Sequence, residues 1–412
     1  MVSPFFGLCR TALFVLCIVV LLASPVSAGP LRDPSGPGAL DVHMQYLPLV
    51  MKAGPSPTAI ELIDAALAQG QIDDMTALVY KVYAVFGDPR LPAEYRSPDK
   101  AIREGTEVMA EAMGRYDALP AETQALLLPF LLPPYYQGSW DDQQPAEGGP
   151  LAAAPLTLPA AAALAPGGPP EMPLSDKWFY RGNAKVKVWG RKDRPGDGRL
   201  VELVFNALKD KVWPDLTGLM LCEPIKDDGQ GNFGGDGRLD VALTVIDDDG
   251  MTIPYVGFAI MGPVHLRINR RLNDELLRAA LAHNFMHSLQ FTYELPGNRL
   301  YDKWLMESTA VWAEDFVYPE ANTEQFYLAA FLDDPGVSLN DIKAAHHYGA
   351  YLFPFYLSHV STPDVVRSMW VMAESTDTVL EAVDTVIEGG FKQQWPEFAR
   401  YNWNRPPQDD YS

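Results

Sequence analysis

Two histidines with three residues between them, His283 and His287, carry the strongest chemical signal in this chain. On an α-helix, positions four apart share a face, so the two imidazoles project one turn apart and can share one zinc ion. A third ligand must come from elsewhere. Glu307 follows in DKWLMESTAVWAEDF, with 19 residues between it and His287, enough for a turn and a second helix to return antiparallel. Three protein ligands would leave a fourth position for water, the arrangement of a catalytic zinc site. The histidine pair by itself also arises by chance, and two histidines can sit in a core or on a surface without metal. The glutamate on a second amphipathic helix strengthens the metal reading. Trp304 and Trp312 could pack that helix, and Glu314 or Asp315 could orient a histidine ring through its other nitrogen.

These residues need helices to hold them, and the pattern supplies helices. Asn273 and Asp274 stand where a cap belongs, and the helical period continues from there towards Pro296. From about residue 273 to the end the chain reads as mostly helical. Before that come strand patterns: residues 184–190, 238–246, 253–261 and 264–269, with a helical stretch over 198–213. Strands followed by helices predict an α+β domain over 177–412. Residues 57–134 read as a small helical bundle inside an N-terminal domain, 29–136. Between the two, 137–176 reads as a linker, because 145–174 is dominated by proline, alanine and glycine and has no core of its own. The alternative is a surface loop within one domain. There is no internal repeat.

With 412 residues and 48% hydrophobic composition, the chain has ample material for a buried core. Its formal charge of −21 disfavours nucleic acid and anionic membrane surfaces as partners, since both would repel it. Residues 1–28 read as a signal peptide. Arg10 supplies the positive region, 12–23 form an apolar run too short for the ~20 residues a bilayer span requires, and Val26-Ser27-Ala28 offers small residues for cleavage before Gly29. Export to the periplasm or beyond is expected, with no membrane span after cleavage. Cys9 and Cys17 would leave with that peptide, so Cys222 alone remains and no intramolecular disulfide can form; it reads as buried and inert.

A second cluster lies in KDDGQGNFGGDGRLD, residues 226–240, which sets Asp227, Asp236 and Asp240 among glycines before a strand. Oxygen ligands on a glycine-rich loop suit Ca2+. The spacing differs from an EF-hand loop, and Asp-Gly is also a common turn.

Taken with LIDAALAQGQID, ALVYKVYAVFGDPRLPAEY, GGDGRLDVAL, HNFMHSLQFTYE, KWLMESTAVWAEDFVYP, YGAYLFPFYLS and FARYNWN, the chain resembles the gluzincin class of zinc metallopeptidases. More narrowly, it is similar to a family of secreted bacterial metalloprotease-like proteins best represented in myxobacteria. The likeness covers most of the chain beyond residue 28 and leaves out the proline-rich stretch. It implies a zincin-like domain behind a propeptide-like helical one, a Zn2+ cofactor held by His283, His287 and Glu307, and a peptide or protein substrate. In the HExxH pattern of that class a glutamate follows the first histidine and serves as general base. Here that position is Asn284. An amide is nearly isosteric with a carboxylate but accepts no proton at physiological pH, and loss of a general base costs ~10²–10⁴ in rate. His346 or Tyr348 could stand over the metal and stabilise an oxyanion, the role the class often gives a histidine or tyrosine; a polar helix end beside an apolar face is the alternative. Glu294 and His347 join these two as nearby substitutes for the base.

Three readings follow: a zinc peptidase, active or slowed; a non-catalytic descendant that keeps the metal and binds peptide or protein; and a structural envelope protein that has lost the metal. Zinc content separates the third from the others, and turnover separates the first from the second.

Overall fold

The computed structural model of this chain describes residues 57–97, 105–146, 173–228, 236–255, 262–296 and 302–403. All of these belong to one compact unit, Met51–Trp403. The expected signal peptide, residues 147–172 of the proline-rich stretch, and 256–261 of the strand expected over 253–261 lie outside the described residues.

The chain opens with helices α1 (Ala59–Ala68), α2 (Asp74–Phe86), α3 (Gly105–Arg115), α4 (Ala121–Leu131) and the short α5 (Trp140–Gln143). Local chemistry sets their ends. Thr58 and Glu61 form a reciprocal capping box on α1, each side chain accepting from the other's backbone N–H at 3.1 and 2.8 Å. Gly87, at φ 64°, ends α2 in the left-handed conformation that costs glycine little.

Strands β1 (Trp178–Gly182) and β2 (Val186–Arg191) follow, then α6 (Asp197–Ala207), which runs through a π-helical turn over Leu208–Val212 into α7 (Trp213–Met220). Next come β3 (Leu239–Thr244), β4 (Gly250–Pro254) and β5 (Val264–Asn269). The five strands make one sheet in the order β1-β2-β3-β5-β4. Its centre, β2-β3-β5, is parallel, and β1 and β4 are antiparallel edges. The remainder is helical: α8 (Asp274–Gln290), α9 (Lys303–Val317), α10 (Leu328–Leu332), α11 (His346–Gly349), α12 (Leu352–Val360), α13 (Asp364–Ala373), α14 (Val379–Val386) and α15 (Gly390–Trp403). The fold is α+β. No helix among the described residues is long and apolar enough to cross a membrane.

Every residue of β2, β3, β4 and β5 is buried, so both faces of the sheet are covered. Val186, Val188, Leu239, Val241, Leu243, Leu266 and Ile268 point into a core shared with α6 to α9 and the C-terminal helices. The alternate positions meet the N-terminal helices, where Trp189, Ala242, Met251 and Ile253 share a second core with Val82, Phe86, Phe130 and Trp140. Polar contacts tie that face down. Arg267 pairs with Asp141 and donates to the carbonyls of Phe130 and Leu132, and Arg191 donates to the carbonyls of Asp141 and Gln144. A boundary at residue 136 therefore falls inside a continuous core, and Trp140 and Asp141, within the expected linker, are fully buried.

Candidate metal centre

α8 starts where the sequence places it. Asn273 Oδ1 accepts from the backbone N–H groups of Glu275 and Leu276, at 3.1 and 2.9 Å. One face of α8 then packs on α9, and three side chains meet between them. His283 Nε2 and His287 Nε2 are 3.0 Å apart. Glu307 brings Oε2 to 3.2 Å from the first and Oε1 to 3.5 Å from the second. In a tetrahedral site with Zn–N near 2.0–2.1 Å, neighbouring ligand atoms stand about 3.3 Å apart, so the observed spacing fits. All three residues are at most 1% exposed. Neither oxygen of Glu307 has a hydrogen-bond partner of acceptable geometry among the described residues, an arrangement a buried carboxylate does not keep without a cation nearby. Among the described residues, this is the group of His, Cys, Asp and Glu side chains whose ligand atoms converge.

The far side of each ring is also fixed. His283 Nδ1 donates to Glu314 Oε1 at 2.9 Å, and Glu314 Oε2 accepts from Thr323 Oγ1 at 2.7 Å. His287 Nδ1 donates to Gln290 Oε1 at 2.7 Å, and Gln290 Nε2 donates to Met306 O and Thr309 Oγ1, each at 3.0 Å. With both Nδ1 atoms committed as donors, the Nε2 lone pairs face one another and Glu307. Two lone pairs at 3.0 Å need a proton or a metal between them. Burial opposes charge on His283, but the nearby Glu307 and Glu314 carboxylates outweigh burial and raise its pKa to about 9. Burial likewise pushes Glu307 up, yet the adjacent His287 and His283 hold it well below the usual carboxylate range.

Of the two residues expected behind the histidines, Glu314 takes the role. Asp315 is half-buried, and burial together with the Glu314 charge raises its pKa to about 6. Trp312 Nε1 donates to Ser358 Oγ and helps seat α9.

Asn284 lies beside the ligands but its amide turns toward β4. Nδ2 donates to Ala280 O at 2.9 Å, and Oδ1 lies 3.3 Å from Thr252 Oγ1, which donates to the Asn284 carbonyl at 2.8 Å. A Cβ on Gly250 would come within 2.5 Å of Asn284 Nδ2, so β4 approaches α8 as closely as glycine allows. Asn284 is 1% exposed. The amide at the position of the expected general base is thus held in a close polar contact with the sheet edge.

His346 and Tyr348 stand apart from the ligands. His346 stacks on Phe331 and places Nδ1 3.3 Å from Ala330 O, and Tyr348 is fully buried against Tyr327 in the larger core. The histidine between them faces the site: burial lowers the pKa of His347 to about 4, with Glu307 pulling it back up, and His347 Nε2 lies 3.8 Å from Glu107 Oε1. Glu294 is exposed in the turn after α8.

In the aspartate cluster, Lys187 Nζ lies 3.0 Å from Asp236 and 3.8 Å from Asp240. Asp240 also accepts from Trp189 Nε1 at 2.7 Å, and Asp227 accepts from Gly237 N–H at 2.7 Å. Cys222 is half-buried rather than buried, and its Sγ accepts from Thr292 Oγ1 at 3.5 Å.

Sequence reasoning missed Gln290, Thr323 and Glu107. Gln290 stands three residues after His287, on the same face of the same helix, so its spacing was a usable signal. The other two come from distant segments and carry none.

Fold and site thus define an α+β protein with a buried His-His-Glu cluster. Residues 266–404 match a family described only as a "Family of unknown function (DUF6055)". That stretch contains the three converging side chains, Asn284, Glu314 and His347, and excludes the N-terminal helices. No curated protein matches the chain.

Proposed function

We propose that this chain is a zinc-binding, zincin-like protein of gluzincin type, a peptidase slowed by the loss of its usual base at position 284. The observation that supports the reading is the convergence of His283 Nε2, His287 Nε2 and Glu307 within a 4.8 Å group while both Nδ1 atoms are tied back to Glu314 and Gln290. Such tethering fixes tautomer and ring orientation in the way a metal ligand requires. A zinc ion held there would polarise a substrate carbonyl and lower the pKa of a coordinated water toward ~7. His283, His287 and Glu307 hold it, Glu314 and Gln290 orient the rings, and Asn284 cannot accept the proton that hydrolysis releases. The substrate class is peptide or protein, and export through the N-terminal signal is part of the same reading.

One observation favours a second reading, a pseudopeptidase that binds zinc and a peptide or protein partner without cutting. Asn284 is engaged with Ala280 and Thr252, and the ligands are closed to solvent.

Metal analysis of the purified chain together with a casein assay tests both. We expect about one zinc per chain, slow turnover, and a rise in turnover in Asn284→Glu of up to ~10²–10⁴. Because β4 crowds this position, the variant should also lose some stability, which a thermal melt would register. A folded, zinc-loaded Asn284→Glu protein that cuts nothing would sink the peptidase reading and leave the binding one. A wild type without zinc under metal-replete conditions would sink both.

A further inference from the structure

α3 reaches the site from the other side of the sheet edge. Gly105 N–H donates to Asp248 Oδ2 at 2.8 Å, and Thr106 Oγ1 accepts from Thr252 N–H at 3.0 Å. Thr252 is the residue whose hydroxyl bonds the Asn284 carbonyl, so α3, β4 and the turn of α8 next to His283 are joined in series. A Cβ on Gly105 would lie 2.9 Å from Asp248 Oδ2 and 3.1 Å from Met251, a contact that holds this part of α3 tight on β4.

Glu107 follows directly and is 6% exposed. Its Oε2 lies 2.6 Å from Lys303 Nζ. Lys303 and Glu307 are four apart on α9 and so share a helix face. The other oxygen, Oε1, is buried, has no hydrogen-bond partner among the described residues, and lies 3.8 Å from His347 Nε2. His347 in turn has both ring nitrogens buried without a partner among the described residues. Glu107 is near enough to Glu307 for the two charges to repel, yet it falls outside the set of atoms that lie within 4.8 Å of one another. It is therefore outside the converging set, while its partner Lys303 shares a helix face with Glu307.

We propose that Glu107, supplied by the N-terminal helices, is the proton acceptor of this site in place of the residue at 284, acting across a water held between it and the His283-His287-Glu307 cluster. The proposal rests on the hydrolase reading above. As the water oxygen bonds to the substrate carbonyl carbon, its proton passes to Glu107. When the C–N bond breaks, Glu107 returns that proton to the departing amine, so one water is consumed per bond and the carboxylate is regenerated. Lys303 holds one oxygen and leaves the other for the proton, and His347 stands beside it to steady charge on the carbonyl oxygen. Burial and the Glu307 charge push Glu107 up to about 7 against the pull of Lys303 and Lys81, a value suited to taking and returning a proton near neutrality. The helices of residues 57–146 are then part of the working site.

The test uses the full chain as wild type, Glu107→Gln and Lys303→Met, each loaded with zinc or cobalt(II), with denatured casein as substrate. Glu107→Gln should keep one metal per chain with affinity within threefold of wild type and lose ~10²–10⁴ in kcat at nearly constant KM. The cobalt-loaded wild type should show a visible-band transition near neutral pH that is absent from Glu107→Gln. Lys303→Met, which keeps the carboxylate but no longer holds it, should lower kcat by less than Glu107→Gln does and move that transition to higher pH. If Glu107 is only the ion-pair partner of Lys303, the two variants will lower the melting temperature alike and leave kcat and the cobalt transition unchanged, which overturns the proposal. A metal affinity that falls more than tenfold in Glu107→Gln also overturns it, by making Glu107 a ligand, as does a metal-loaded wild type that hydrolyses nothing. A wild type that takes up neither metal is a different failure, that of the metal reading itself.

Discussion

Lys187 places its ammonium beside Asp236 and Asp240, whereas Glu307 faces two imidazoles and, among the described residues, pairs with no lysine or arginine. Asp240 and Glu307 are both buried, while Asp236 is exposed, and both groups looked from composition like places for a metal. In the first, a fixed positive charge on β2 already balances the aspartates, with Trp189 adding a neutral donor. In the second, Glu307 and Glu314 raise the pKa of His283 to about 9, so any balancing charge on the imidazole is a proton that can exchange. What separates a metal site from an internal ion pair is therefore whether the countercharge can leave. A lysine nitrogen is covalently tied in place; a proton leaves when a cation arrives.

The largest expected effect breaks the second cluster. His283→Ala, His287→Ala or Glu307→Ala should each reduce zinc from about one per chain to background, a loss of at least ~10³ in affinity, read by metal analysis after dialysis. The same substitution at Asp236 or Asp240 should leave zinc content unchanged.

Next comes the fixed cation. Lys187→Met should cost roughly 3–5 kcal/mol near neutral pH, because it strands the fully buried Asp240 without its partner. Urea unfolding measures it. Burial pushes Asp240 up to about 6 and Asp227 up to about 7, each aided by a neighbouring aspartate. Folded-state values raised above those of the unfolded chain mean that the folded protein binds more protons between about pH 4 and 7. The stability these groups contribute is full below pH 4 and is lost as the pH rises through 6 to 7. Lys187→Met should therefore be least harmful in acid, and Asp227→Asn should flatten the decline in wild-type stability between pH 4 and 7.

How much of this could be read from the chain depends on the distance between partners. Asn273 as the α8 cap and β5 over Val264–Asn269 are local, and their residues announced them. The His283-His287-Glu307 trio was legible because two of its side chains share one helix and the third lies on the next. The alternation in β2, β3 and β5 was visible too, but not that Lys187, Asp240, His265 and Arg267 on the polar side would be buried. Arg267, for one, meets Phe130, Leu132 and Asp141, more than 100 residues earlier, and neither charge nor periodicity in β5 points there. Asn284 shows the same limit. Its identity argued for a lost base, while its engagement with Gly250 and Thr252 depends on where β4 lies.

A third effect sharpens the exchange argument. If zinc binds this cluster as proposed, the raised pKa of His283, about 9, requires it to displace a proton. Apparent zinc affinity should rise about tenfold for each pH unit below 9, hence ~10² between pH 6 and 8. Competition with a chelator of known pH dependence gives that slope, and calorimetry in two buffers of different ionisation enthalpy should find about one proton released per zinc. A slope near zero would mean that His283 is already neutral before the metal arrives.

The smallest expected effect completes the comparison at the aspartates. Calcium added at millimolar concentration should move the melting temperature by less than ~1 °C, since a ligand that binds the folded state weakly adds only RT ln(1 + [L]/Kd). Calcium would need Asp227, Asp236 and Asp240 free to coordinate, and Lys187 occupies the position between two of them. Displacing it would bury or expel an ammonium that is 4% exposed, at a cost the new carboxylate contacts must first offset. Lys187→Met removes that competitor, so the two proteins measured side by side decide the matter. If calcium stabilises Lys187→Met by several degrees and leaves the wild type unmoved, the lysine is the reason the cluster needs no metal. A wild type that calcium stabilises as strongly as the variant would show that Lys187 yields its place, and the distinction between fixed and exchangeable countercharge would not hold at this cluster.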